Sequence, residues 1–155
     1  MTAETPILFV LGMPLDEEAE ISGPAKLALA KARLVVGESR KVAFSFLKQA
    51  GVLHQENSAD KIVFLLDPPR EDNLRELRSQ LAGCRDRGED VALFSDTGMP
   101  ILYDPGREVL EWAKELGFRI RSVPGPTSWG TAAALSGFDP PFFLVGFLPR
   151  DAGDR

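Results

Sequence analysis

Val91-Ala92-Leu93-Phe94-Ser95-Asp96-Thr97-Gly98-Met99-Pro100-Ile101-Leu102-Tyr103-Asp104-Pro105-Gly106 is the stretch whose reading decides the fold. An apolar run, Val91 to Phe94, hands over to a polar turn rich in Gly and Pro. An amphipathic helix pattern, Arg107 to Leu116, follows. Turns of this kind, where a buried strand ends and a helix begins, are where open α/β sheets take ligands. Nineteen residues after Pro105, Pro124-Gly125-Pro126-Thr127-Ser128 repeats the arrangement after another apolar run. Two such turns on neighbouring strands would share one pocket.

Outward from this stretch, five apolar runs mark the chain: Ile7–Leu11, Leu34–Val36, Ile62–Leu66, Val91–Phe94 and Ile120–Val123. None alternates cleanly between apolar and polar. Continuous short runs suit strands covered on both faces, the mark of a parallel sheet. Helical patterns lie between them. Asn73–Arg87 carries Leu74, Leu77, Leu81 and Cys84 at steps of three and four, which makes an apolar stripe. Ser22-Gly23-Pro24 opens a helix that ends near Arg33, and Val42–Gln49 is a shorter one. Asp104-Pro105 reads as an N-cap and first-turn pair, with Gly117 as the stop. Thr127–Leu135 is small and Ala-rich, suited to close packing on the sheet. Phe142–Leu148, after Pro140-Pro141, reads as an edge strand or as the lead into a further element. The fold class is therefore α/β: an open, mostly parallel five-stranded sheet with helices on both faces.

Composition agrees. At 155 residues the chain is long enough to bury a core without staples. Its 44% apolar and 26% charged residues are those of an ordinary globular domain, not of a disordered or membrane chain. One cysteine, Cys84, and one histidine, His54, leave nothing for a disulfide framework or a zinc site, so no metal is expected. No apolar run approaches the roughly 18 residues of a membrane helix, and no signal peptide is evident, so a cytoplasmic protein is expected. The net charge is −5, and the positive residues are scattered among acids with no basic stripe. An RNA substrate would then need its phosphate attraction from elsewhere.

Three phrases carry a resemblance: Ser95 to Gly106 (SDTGMPILYDPG), Pro124 to Trp129 (PGPTSW) and Gly146 to Arg150 (GFLPR). Their order and spacing resemble the tetrapyrrole methylase superfamily of S-adenosylmethionine-dependent methyltransferases, closest to the ribosomal RNA small subunit methyltransferase I branch. The resemblance implies methylation of the 2′-oxygen of a cytidine in 16S ribosomal RNA. It also implies two α/β domains with the cofactor between them. Residues 1–141 would be the S-adenosylmethionine-binding domain, and 142–155 the start of a segment leading to a second domain that this chain lacks. Ribosomal RNA would be met through that missing domain. A homodimer would cover the apolar run Phe142–Leu148.

For such a site the resemblance and the residue chemistry together give a candidate set. Gly12, Pro14, Ser95, Asp96, Thr97, Gly98, Met99, Pro100, Leu102, Thr127 and Ser128 would bind S-adenosylmethionine. Gly98 and Gly125 allow close backbone approach. The backbone of Gly98 to Leu102 would hold the ends of the cofactor, and Thr127 and Ser128 would supply hydroxyls. Asp96 would meet the ammonium group or the ribose, or else bond turn amides. Thr127 and Ser128 equally suit helix capping. Glu38 and Arg40 are the catalytic candidates: Glu38 as a base, or an acid paired with Arg40 or Lys41, and Arg40 as a phosphate or acid ligand. Asp67 reads as a turn former, His54 as a non-catalytic loop residue, and Trp112 and Trp129 as packing residues.

The resemblance is incomplete. The family's turn after strand one usually reads TPIGN, where this chain has Leu11-Gly12-Met13-Pro14-Leu15-Asp16. After strand two AEDTR is usual, where it has Val36-Gly37-Glu38-Ser39-Arg40-Lys41. The third turn, Leu66-Asp67-Pro68-Pro69-Arg70, also departs. These departures bear on the acceptor more than on the cofactor. Two other readings stay open: methylation of a tetrapyrrole-like or other small metabolite, and a non-catalytic cofactor-binding or interaction module.

Overall fold

A computed structural model describes residues 4–16, 19–52, 61–66 and 71–147. Among these residues five strands and five helices alternate: β1 (Ile7–Leu11), α1 (Gly23–Lys31), β2 (Leu34–Gly37), α2 (Arg40–Gln49), β3 (Ile62–Leu65), α3 (Glu71–Arg87), β4 (Val91–Leu93), α4 (Arg107–Glu115), β5 (Arg119–Val123) and α5 (Ser128–Leu135). The sheet order is β3-β2-β4-β1-β5, and every pairing is parallel. All five strands therefore end at one edge, where the turns collect. His54, Asp67 and Leu148 to Arg150 lie outside the described residues.

Alternation along β1 splits the core into two layers. Phe9 and Leu11 point to α1 and α2, together with Val35, Ala92 and Phe94. Leu8 and Val10 point to α3 and α4, together with Leu34, Val36, Leu93, Leu77, Val109 and Ala113. Chain path explains the sidedness. The connections β1 to β2 and β2 to β3 move one way across the sheet, and the later two move back. Right-handed crossovers then put the first two helices on one face and the next two on the other.

Helix signals act as read at three places. The Ser22 side chain accepts from the Ala25 amide at 3.3 Å with Pro24 in the first turn. Thr127 accepts from the Gly130 amide at 3.3 Å. Gly117 turns left-handed at φ 79° just beyond α4. Three expectations are corrected. The N-cap of α4 is Gly106 at φ 115°, not Asp104, because the turn runs on past Pro105 before the helix begins. A side chain there would meet Leu93 at 3.1 Å, so the tight packing of the turn on β4 selects glycine. Helix α5 buries none of its residues, so its Ala-rich face does not pack on the sheet. Its apolar moment is weak, since apolar residues surround it instead of forming a stripe. Of the two readings of Phe142–Leu148, the edge strand does not form: 142–147 has no strand, and Phe143 and Phe147 are 85% and 86% exposed.

Cys84 is fully buried in the α3 stripe. Burial, then the Glu89 carboxylate, pushes its thiol up to about 11. The folded thiol should resist iodoacetamide at pH 8 and react once urea unfolds the chain, as mass spectrometry would show. Modification of the folded chain at the unfolded rate would contradict this. The unfolded thiol ionises near its ordinary value while the folded one keeps its proton. The unfolded state thus holds fewer protons between about pH 9 and 11, and stability falls as pH rises through that window.

Candidate functional site

Four strand-end turns are tied into one rim. The Gly12 amide donates to the Val123 carbonyl at 2.8 Å, which joins the turns after β1 and β5. Here two backbones touch. A Cβ on Gly12 would lie 2.3 Å from the Gly125 nitrogen, and one on Gly125 would lie 2.6 Å from the Gly12 Cα. Met13 and Gly98 exchange two hydrogen bonds, at 2.8 and 3.1 Å, as an antiparallel bridge between the turns after β1 and β4. Gly98 takes φ 69°, which a side chain would strain.

The fourth turn is tied by two carboxylates. The Asp96 amide donates to Glu38 Oε2, and Asp96 Oδ1 accepts from the Ser39 amide, both at 3.0 Å. Ser39 is the N-cap of α2 and its own hydroxyl makes no capping bond. Asp96 thus supplies, from the turn after β4, the acceptor for the N-cap amide that the N3 carboxylate of a capping box ordinarily provides. Negative charge at a helix start also suits the helix dipole. The bond from the Asp96 amide sets the Glu38 carboxylate against the turn after β4. Arg40 lies over the Phe44 ring at 4.8 Å.

Between the turns after β4 and β5 lies a cleft of about 390 Å³. That volume is within the ~300–1,000 Å³ usual for small-molecule sites. Six of the eleven cofactor candidates line it: Thr97, Gly98, Met99, Leu102, Thr127 and Ser128. The other five support it or face elsewhere. Gly12 lies against Gly125, and Pro100 is buried. Ser95 is buried, with its hydroxyl donating to the Thr97 carbonyl at 2.9 Å. Pro14 and Asp96 line a separate cavity of about 130 Å³ beside Asp16, Lys41 and Ser45. Thr97 reaches both cavities.

The sequence reading missed several lining residues. Leu15, Tyr103, Asp104 and Trp129 face the cleft, and Phe143 to Phe147 close its far side. Tyr103 meets the Phe147 ring edge-on at 5.7 Å. Two of these residues sit in the quoted turn, and Trp129 ends the second motif, so the signal was at hand. What the sequence does not show is the backbone path. Ile101 and Tyr103 both take left-handed φ, 78° and 65°. Such conformations cost about 1–3 kcal/mol each and gather at functional sites. They turn the chain so that Leu102 and Tyr103 face the cleft. Trp112, by contrast, packs at the second core layer beneath Arg78, as a packing residue should.

Among the described residues, no three His, Cys, Asp or Glu side chains gather as metal ligands, and no helix is long and apolar enough to cross a membrane.

Fold and site together define an α/β protein with a small-molecule cleft at the carboxyl ends of parallel strands. The chain belongs to the tetrapyrrole (corrin/porphyrin) methylases, whose family model matches residues 8–148. Among curated relatives, it is 33% identical over 151 residues to the ribosomal RNA small subunit methyltransferase I of Pseudomonas aeruginosa, covering 96% of this chain and 49% of that protein. It is 30% identical over 151 residues to the protein of that name from Mesorhizobium japonicum, covering 97% of this chain and 48% of the relative. The chain thus spans about half the length of these relatives. A solved structure of uroporphyrin-III-C-methyltransferase from Thermus thermophilus shares the fold, with TM-score 0.55 and 22% identity over 85% of this chain and 53% of that one.

Proposed function

We propose that this chain is the S-adenosylmethionine-binding part of a cytoplasmic methyltransferase that methylates a ribose 2′-oxygen in ribosomal RNA. The observation that carries the reading is the cleft itself: Thr97–Met99, Thr127–Trp129 and Phe143–Phe147, far apart in sequence, meet around one volume. The names of the curated relatives support the RNA substrate. Residues 1–141 would form the cofactor domain, and 142–155 would lead into a second one. The apolar side chains exposed at Leu135, Phe138, Phe143, Val145 and Phe147 are the surface that such a domain, or a second copy in a homodimer, would cover.

The residues fit S-adenosylmethionine. Leu102, Tyr103 and Trp129 offer apolar and aromatic walls to its adenine, while Thr97, Ser128 and the amides at the start of α5 offer polar ends for its amino-acid tail. When bound, the cofactor supplies an activated methyl group on sulfur. The chain's own part is to hold that donor at a fixed angle to the acceptor oxygen and keep bulk water away. Glu38 and Arg40 stand at the neighbouring β2 turn, as base and as anion ligand.

The reading is tested by calorimetry with S-adenosylmethionine and S-adenosylhomocysteine, then by methyl transfer to small ribosomal subunits that lack the modification. A form of the protein as long as its relatives that binds neither compound would overturn it. Asp96→Ala is expected to weaken S-adenosylhomocysteine binding about fivefold, because the lost hydrogen bond to the Ser39 amide is worth about 1 kcal/mol and its loss loosens the Thr97–Gly98 wall. Unchanged affinity would remove Asp96 from the site.

A further inference from the structure

The charges that look scattered along the chain are sorted by the fold. Helices α1 and α2 lie on one face of the sheet, and neither contains a carboxylate. They carry Lys26 and Lys31, and Arg40, Lys41 and Lys48. Strand β5 adds Arg119 and Arg121, again without an acid. Arg121 pairs in register with Phe9, whose side chain faces α1, and its guanidinium lies 5.9 Å from the Phe9 ring centre. Alternation puts Arg119 on that same face. The opposite face is mixed: α3 has four acids and four cations, and α4 three acids and two cations.

Some of the cations are already engaged. Lys26 bonds Glu20 at 2.8 Å, and Lys31 approaches Asp90 only to 4.0 Å. Lys41 sits beside Asp16. Lys48, Arg119 and Arg121 are exposed and form no ion pair among the described residues. Between Lys31 and Arg121 runs an open trough of about 600 Å³ with Phe9, Leu27, Ala28 and Val123 as its floor. No acid lines it. Leu27 is 71% exposed there. An open groove rimmed by cations is a surface that holds a nucleic-acid backbone by its phosphates. Five strands at ~4.8 Å spacing make the face about 20 Å wide, enough for several phosphates.

We infer that the face formed by α1, α2 and β5 is where this chain engages the phosphate backbone of its RNA substrate, with the Lys31–Arg121 trough at its centre. The inference rests on the RNA reading above and adds the surface. It also answers the net charge of −5, since a protein of acidic balance can hold a polyanion if its acids lie elsewhere.

The test uses the 155-residue chain and a transcribed fragment of small-subunit ribosomal RNA, with affinity measured across a salt series. The variant Lys31→Gln, Lys48→Gln, Arg119→Gln, Arg121→Gln is expected to bind at least about tenfold more weakly. Its salt slope should be shallower by as much as ~3, at about 0.7 for each phosphate that is no longer neutralised. A variant on the other face, Arg75→Gln, Arg107→Gln, Lys114→Gln, should bind like the parent. Circular dichroism and a melting curve confirm that both variants fold. Parent-like binding by the first variant, equal loss in both, or no binding by the parent at low salt would each overturn the inference. None of the four residues lines the cofactor cleft. The first variant should therefore bind S-adenosylmethionine like its parent; failure of a form as long as the relatives to bind it at all would count against the methyltransferase reading, and RNA binding that ignores the four substitutions would count against this surface alone.

Discussion

Gly125→Ala is expected to lower the unfolding midpoint by about 6–12 °C and to abolish binding of S-adenosylhomocysteine. The added Cβ would sit 2.6 Å from the Cα and carbonyl carbon of Gly12. Both are backbone atoms at the end of the central strand β1, so no flexible side chain can swing aside. Overpacking costs typically about 1–3 kcal/mol, and a backbone obstacle puts this site at the upper end. For a domain of this size each kcal/mol moves the midpoint by about 2–4 °C. The binding loss follows from geometry, because moving Gly125 moves Thr127 to Trp129, one wall of the cleft. Gly23→Ala is the control: a Cβ there meets nothing within 4 Å, and the midpoint should hold. Equal shifts in both variants, read by thermal circular dichroism, would show that the Gly12–Gly125 contact does not brace the rim.

Phe94→Ala should be costlier still. Phe94 is 1% exposed and meets Phe46 of α2 edge-on at 5.7 Å. Its ring would also lie 3.1 Å from a Cβ on Gly37, so it fills the angle between the ends of β2 and β4. Truncating a buried Phe to Ala costs about 3–5 kcal/mol. Phe94→Leu should lose less than half of that, since most of the volume remains. Urea unfolding measures both. A loss below about 1 kcal/mol for Phe94→Ala would mean that the site collapses around the gap. Phe94 directly precedes Ser95, so the same variant tests whether packing below the rim holds the Ser95–Gly98 turn.

Much of the fold was legible. All five strands lie where the apolar runs placed them: β1, β2 and β4 are covered on both faces and so continuously apolar, whereas β5 is exposed from Arg119 to Ser122 and buries only Val123. Ser22, Thr127 and Gly117 acted as local signals, since capping is chemistry between residues three or four apart. Asp104 failed as a cap for a tertiary reason: the turn runs on past Pro105 to Gly106, which is left-handed and packed on Leu93. The expected packing of α5 and the edge-strand reading of Phe142–Leu148 failed in a similar way, because apolar composition does not say which surface an element will meet.

The site was legible in part. Thr97, Gly98, Met99, Leu102, Thr127 and Ser128 line the cleft together. Glu38 and Asp96, 58 positions apart, had no visible relation until β2 and β4 paired and set a carboxylate of each turn on an amide of the other.

The sequence alone determined the element order, the parallel sheet, the two turns and the family resemblance, since hydrophobic period, turn chemistry and motif spacing are all local. Only the tertiary structure decided the strand order β3-β2-β4-β1-β5, the contact of Gly12 with Gly125, and the collection of cations on the α1–α2–β5 face. The physical reason is that crossover handedness assigns each helix to a face. A chain whose charges are mixed in sequence therefore brings together three elements, α1, α2 and β5, that carry cations and no acids, while α3 and α4 on the other face stay mixed.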